Sequence, residues 1–188
     1  RSSAVAVLGI MGIATVASVS LVSTTFADSL DYNVNVNTSL NVTVSTDTVS
    51  LVLNPGSNPF ASTNLDVSVG TNNPWGYKLY INADGTDLTN DTYTTPSYIN
   101  TLDSTATGTS TAFPANKWGF RVSSLSSGNI ADSSITDTTG TYFYPFTSGA
   151  MVGSNTQAVN NSTSTLTFAS KVDYEKPAGV YTLDFSFK

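Results

Sequence analysis

The sequence contains no cysteine and no histidine. Without cysteine there are no disulfides, thiolate metal sites or thiol nucleophiles. Without histidine the commonest general base and the commonest transition-metal ligand are missing, so neither a Ser–His–Asp triad nor a His-based zinc centre can be built. Glutamate occurs once, as Glu175, and aspartate carries the rest of the negative charge. Only 11% of the residues are charged, against roughly 25% in ordinary soluble domains. Ser, Thr and Asn fill the gap, a mixture suited to an extracellular β-rich surface. The net charge of −6 repels phosphate backbones, so no nucleic-acid partner is expected. These absences together argue against an enzyme, and no cofactor is expected.

What the chain does have is an uninterrupted uncharged run from Ser2 to Ala27, bracketed by Arg1 and Asp28. As a helix it would span roughly 39 Å, long enough to cross a bilayer or to form the core of a helical assembly. Two readings compete. In one it is a secretory signal peptide with Thr25-Phe26-Ala27 as the cleavage site, although the run is long for such a leader. In the other it is retained as a hydrophobic helix, which is the expectation adopted here. Small residues recur along it, Gly9, Gly12, Ala14 and Ser18 among them, between apolar Val5, Leu8, Val16 and Val19. Small residues allow the close backbone approach on which helix association in an apolar medium depends. These eight residues are therefore the expected residues of the assembly helix.

The plan of this segment resembles that of type IV pilins, in which apolar N-terminal helices bundle into a filament core and the heads decorate the outside. Many bacterial pilins carry a glutamate at the fifth position, where this chain has Val5. Archaeal-type pilins with a β-sandwich head are similar in plan.

From Asp28 onward the apolar run gives way to alternation, the signature of half-buried strands. Val34 and Val36, then Leu40, Val42 and Val44, then Val49, Leu51 and Leu53 follow a period of two, ending at the turn Asn54-Pro55-Gly56. Leu65, Val67 and Val69 mark the next strand, and Trp75, Tyr77, Leu79 and Ile81 a central one. Residues 82–116 are expected to be a long surface insertion with one short strand or turn. Trp118, Phe120 and Val122 resume the alternation, and 123–141 reads as a second polar loop. Tyr142, Phe143, Tyr144 and Phe146, broken by Pro145, suggest an edge strand or a packed loop. Leu166 and Phe168 begin a strand running toward Val172. Tyr181, Leu183, Phe185 and Phe187 form the last one. Eight or nine short strands without an amphipathic helix predict a mainly β protein: a long N-terminal hydrophobic α-helix (1–27), then an Ig-like antiparallel β-sandwich head (28–188).

The motifs Asn73-Pro74-Trp75-Gly76-Tyr77, Lys117-Trp118-Gly119-Phe120-Arg121-Val122, Leu166-Thr167-Phe168-Ala169 and Pro177-Ala178-Gly179-Val180-Tyr181-Thr182 occur in one order. In this the head resembles the secreted surface β-domains of patescibacterial (Saccharibacteria-like) genomes. The resemblance implies cell-surface display and transfers no catalytic residues.

Several side-chain groups invite a binding reading. Asn82, Asp84, Asp87 and Asp91 concentrate oxygen ligands that could hold calcium, but Asp-Gly and Asn-Asp pairs are ordinary turn chemistry, which is the preferred reading. Trp75 and Trp118 could form a sugar-stacking platform with Tyr80, Tyr93 or Tyr98. Their register with apolar neighbours instead places both tryptophans in the core, leaving the three tyrosines as candidates for surface recognition. Sequons at Asn37, Asn41, Asn90, Asn160 and Asn161 are expected by chance in so Asn-, Ser- and Thr-rich a chain. Lys171, Lys176 and Arg121 read as solvated charges. Asp173 and Asp184 could pair as carboxylates, with nothing in the spacing to select them. The expected function is a pilus-like filament subunit: a homopolymer on the cell surface, membrane-inserted before assembly, presenting its head to a host surface or glycan. The alternative is a secreted or anchored binding module for a glycan or protein, with 1–27 as leader or anchor.

Overall fold

A strand presents successive side chains to opposite faces, so an alternating sequence can bury one face and wet the other. The computed structural model describes residues 34–92, 95 and 97–188. Eleven strands run through them: β1 (Leu40–Val44), β2 (Phe60–Thr71), β3 (Tyr77–Ala83), β4 (Leu88–Asn90), β5 (Ser97–Thr101), β6 (Ala106–Thr107), β7 (Lys117–Leu125), β8 (Tyr142–Phe143), β9 (Ala150–Asn155), β10 (Val159–Lys171) and β11 (Phe185–Phe187). Among the described residues there is no helix, and the protein is mainly β. The expected helix of residues 1–27 lies outside the described residues. The chain divides into two units, 1–36 and 37–188. Of the first, residues 34–36 are described and are exposed, outside any strand. The rest of the description concerns the second.

One sheet has six strands in the order β1-β2-β10-β7-β5-β4, a second has three in the order β11-β3-β9, and β6 pairs with β8. The pairings are antiparallel except β5 with β7, which run parallel. The centre of the large sheet is β10, flanked by β2 and β7. Leu166 lies opposite Leu65 on one side and Val122 on the other, and Phe168 lies opposite Phe120. These residues share one core with Leu79 and Ile81 of β3 and Val152 of β9, so the two larger sheets enclose it together. Five rings fill one part of that core. Phe146 sits 5.4 Å from Trp118, 5.5 Å from Phe120 and 5.4 Å from Phe185, and Phe168 lies 5.4 Å from Phe185. Such tilted and edge-on pairs add to the burial term.

A smaller apolar cluster of Leu102, Ala106, Phe113, Phe143 and Ala169, with Phe60 against it, is separate from this core. Gly119 admits it: a Cβ there would stand 2.4 Å from Leu102 Cδ1. The 82–116 stretch is thus more structured than its composition predicts, holding β4, β5 and β6 rather than one short strand or turn.

Other expectations are corrected. Residues 49–53 form no strand; Val49 and Leu53 pack against the core from an irregular segment, while Val52 is exposed. That segment is closed by a tight turn in which Asn54 and Asn58 exchange backbone hydrogen bonds. The sequence reading missed β9 entirely. It also began β10 at Leu166, seven residues late, because the stretch before it is polar. Two of those polar residues, Ser162 and Ser164, are buried: Tyr77 Oη donates to Ser162 Oγ, which donates to Asn129 Oδ1, and Asn155 Nδ2 donates to the same oxygen. The count exceeds the eight or nine strands expected, and the parallel β5–β7 pair departs from an all-antiparallel sheet.

Trp75 is the sharpest correction. It is 84% exposed, whereas Trp118 is buried, so the two tryptophans do not share the core. Trp75 sits in the β2–β3 turn, where its N–H donates to Asn73 Oδ1 and the Gly76 N–H donates to Asn73 C=O. Gly76 has φ +72°, a left-handed conformation that favours glycine, and it ends the turn before β3 begins.

Candidate assembly surface

An edge strand carries unpaired N–H and C=O groups, which soluble proteins usually blunt with lysine, proline, bulges or a covering loop. Strand β1 is the edge of the six-stranded sheet and is exposed along its whole length. Its register sets Leu40, Val42 and Val44 opposite Thr71, Val69 and Val67. Val67 and Val69 are 0% and 1% exposed, yet Leu40, Val42 and Val44 on the same face are 69%, 42% and 38% exposed. The core face therefore runs out from under its cover at β1. The Ser45 N–H donates to Asp66 C=O. Alternation along the strand then turns the N–H and C=O of Leu40, Val42 and Val44 away from β2. Among the described residues no strand pairs with that side. From Val34 to Thr46 there is no charge and no proline.

The start of β1 is fixed by side chains. Asn72 Oδ1 accepts from the Ser39 N–H, Asn72 Nδ2 donates to Asn37 C=O, and Thr71 Oγ1 donates to Ser39 C=O. An open, shallow depression of about 450 Å³ beside this clamp is lined by Ser39, Gly70, Asn72 and Asn160.

The ionisable groups elsewhere mostly serve the fold. Asp137 is 7% exposed. Burial pushes its carboxyl up, but hydrogen bonds from the Thr139 hydroxyl and from the N–H groups of Tyr142, Thr139 and Thr141 outweigh this and hold it at about 2. Arg121 lies 4.3 Å over the Phe143 ring and donates to Tyr142 C=O. Burial lowers its pKa from the ordinary value, and the nearby Asp137 and Tyr144 partly offset that. The Asp173 carboxyl is lowered chiefly by Asn116 Nδ2, and that of Asp132 by the Ser134 N–H. Lys171 Nζ donates to Phe113 C=O, and Lys176 Nζ donates to Tyr98 C=O. Arg121, Lys171 and Lys176 are thus tied to the structure rather than freely solvated, as the sequence reading had them.

Asp137 has a measurable consequence. A carboxyl whose pKa is depressed on folding contributes stability that is complete above its unfolded value, here 3.8, and is lost as the pH falls through its folded value. Unfolding in urea at successive pH values should show a loss of about 2 kcal/mol from this group between pH 4 and pH 2. The Asp137→Asn variant should lack that part of the pH dependence.

The sequence-predicted calcium ligands are dispersed in role. Asp87 uses both carboxylate oxygens, accepting from Asn100 Nδ2 and the Thr101 N–H. Asn82 is paired with Ser186 across β3 and β11. Asp84 and Asp91 are exposed. Among the described residues no three acidic side chains gather into a group able to hold a metal ion. Tyr80 is half-buried in β3, and Tyr98 is 43% exposed in β5, so they belong to different sheets. Tyr93 lies outside the described residues, as do Val5, Leu8, Gly9, Gly12, Ala14, Val16, Ser18 and Val19. Of the sequons, Asn90 is 1% exposed and packed against Gly179. Its side chain is inaccessible to a glycosyl transferase, while Asn37, Asn41, Asn160 and Asn161 are exposed. What sequence reasoning missed was the β1 edge itself. The signal was present in its charge-free alternation, but alternation alone does not say whether a strand lies inside a sheet or at its border. Comparison of the chain with protein-family models, with curated proteins and with solved structures finds no match.

Proposed function

We propose that this protein is the structural subunit of an extracellular pilus-like filament. It polymerises through a retained hydrophobic helix in its N-terminal segment and displays an Ig-like β-sandwich head for adhesion or attachment. The observation that carries this reading is the uncharged run Ser2–Ala27, placed directly ahead of a β head in which the carboxylates of Asp87, Asp137 and Asp173 close turns and clamp loops. Association then follows from apolar burial and close packing of small residues, without turnover of a substrate. The subunit is membrane-inserted before assembly and homopolymeric after it.

Electron microscopy of the purified full-length chain tests this. Filaments are expected from the unaltered protein, and a Gly12→Asp substitution should abolish them while leaving the circular dichroism of the head unchanged. Filaments of normal length from Gly12→Asp would sink the proposal. A second reading, a surface binding module, draws on Trp75: an 84% exposed indole held on an Asx-stabilised turn is a suitable stacking surface for a sugar ring. Dispersed monomers in the micrographs would favour that reading.

A further inference from the structure

Strand β1 is an edge whose chemistry selects its partner. A charged or strongly polar segment would gain no ion pair along residues 34–46, which carry no charge. A partner strand must instead alternate apolar and uncharged polar residues in step with Leu40-Asn41-Val42-Thr43-Val44. That pentapeptide has the same pattern read in either direction, apolar at both ends and the centre, uncharged polar between. An antiparallel strand of identical sequence meets the requirement when Val42 stands opposite Val42 of the second copy.

We propose that the head pairs with a second copy of itself through β1, antiparallel and centred on Val42. In this register Leu40 faces Val44 of the other copy, and Val44 faces its Leu40. The apolar residues of both copies then lie side by side on one face, with Asn41 and Thr43 opposite Thr43 and Asn41 on the other. The N–H and C=O groups of Leu40, Val42 and Val44 are the ones that point away from β2. Each finds its complement: Val42 exchanges two hydrogen bonds with its copy, and the Leu40–Val44 pairs exchange two each. The two six-stranded sheets become one continuous sheet about a two-fold axis perpendicular to it, an isologous contact that closes on itself. Cross-strand apolar neighbours shield Leu40, Val42 and Val44, which the molecule alone leaves 69%, 42% and 38% exposed. The net charge of −6 opposes association of two heads in general. The uncharged edge adds no charge of its own to that opposition. This contact is independent of residues 1–27 and of filament formation, and its test is separate from theirs.

The absence of native cysteine makes the register directly readable in the full-length chain. Single variants Leu40→Cys, Val42→Cys and Val44→Cys are treated with dibromobimane, which bridges two thiols across about the ~5.5 Å separation of a hydrogen-bonded pair. Val42→Cys should form a covalent dimer by itself. Leu40→Cys and Val44→Cys should each fail alone, because each lies about 14 Å from its own copy, four residues along at ~3.4 Å, and should cross-link when mixed. The reference is Val180→Cys, 75% exposed and outside any strand. Cross-linking at Val42 should exceed it about tenfold, as a fixed contact raises effective concentration. Equal reaction of all three variants, or reaction no greater than at position 180, overturns the proposal. Amide hydrogen exchange on the unaltered protein gives a reading free of substitutions. The amides of Leu40, Val42 and Val44 should become protected as protein concentration rises, while that of Ser45, already bonded to Asp66, should not change. Exchange of the three that is independent of concentration overturns it equally.

Discussion

Phe120→Ala is expected to lower the unfolding free energy by about 3–5 kcal/mol. Phe120 is 0% exposed and lies in β7 between two ring neighbours, Phe146 at 5.5 Å and Phe168 at 6.2 Å. Its backbone is held on both sides, by β10 opposite Phe168 and by reciprocal hydrogen bonds with Tyr144. The chain at this point cannot close around a lost ring, so the substitution leaves a cavity as well as losing the transfer term. Typical domains have a total stability of about 5–15 kcal/mol, so the loss is a large part of the whole. Urea unfolding of the variant should show a lower midpoint with an unchanged slope, the mark of a change in stability rather than in compactness.

Gly76→Ala is expected to cost about 3 kcal/mol or more, for two separable reasons. The residue has φ +72°, where an L side chain costs roughly 1–2 kcal/mol. A Cβ built there would stand 1.8 Å from Asn155 C=O and 2.8 Å from Gln157 N, both backbone atoms. A flexible side chain could move aside, but the end of β9 and its turn cannot do so without breaking the β3–β9 register that begins at Tyr77 and Asn155. Gly85→Ala is the control: its φ is not positive, and its only near neighbour is Leu183 Cδ1 at 3.9 Å. Thermal unfolding should place Gly85→Ala within about 0.5 kcal/mol of the parent. Gly76→Ala should melt about 6–12 °C lower, at roughly 2–4 °C per kcal/mol for a chain of this size.

The strands that alternated most strictly and were buried on one face were readable from the sequence: Leu65–Val69, Tyr77–Ile81 and Trp118–Val122 all lie in strands of the structure. The failures have physical causes. Trp75 shares the parity of Tyr77 and Leu79, but Asn73-Pro74 before it and Gly76 after it are turn residues, and their backbone demands outrank the indole's hydrophobicity. Strand β9 escaped notice because half of it, Ala150, Gly153 and Ser154, is small residues. A Cβ at Gly153 would lie 2.5 Å from Ser164 Oγ, so close approach between sheets excludes the bulky alternation by which strands are recognised. Val49 to Leu53 alternates and still forms no strand: Val49 and Leu53 pack against the core from an irregular segment, a tertiary contact that local alternation does not encode. Among the candidate site residues, the exposed position of Asp84 beside Gly85 was legible from its neighbours; the bonds of Asp87 to Asn100 and Thr101, 13 and 14 residues on, were not. Nor was the tie from Lys176 to Tyr98, 78 residues apart, because no local pattern encodes it.

The pairing of β2 with β10 also governs how the molecule comes into being. Thr165 meets Asp66 across 99 residues of chain, so the two central strands can join only after nearly the whole domain has been synthesised. Closing loops of that length is slow, and β-rich chains dominated by such contacts fold in roughly milliseconds to seconds rather than microseconds. Ribosomes add about 5–20 residues per second, so β2 waits for several seconds with its apolar face uncovered. In this order of assembly β10 is the closing strand, and the six-stranded sheet has no middle until it arrives.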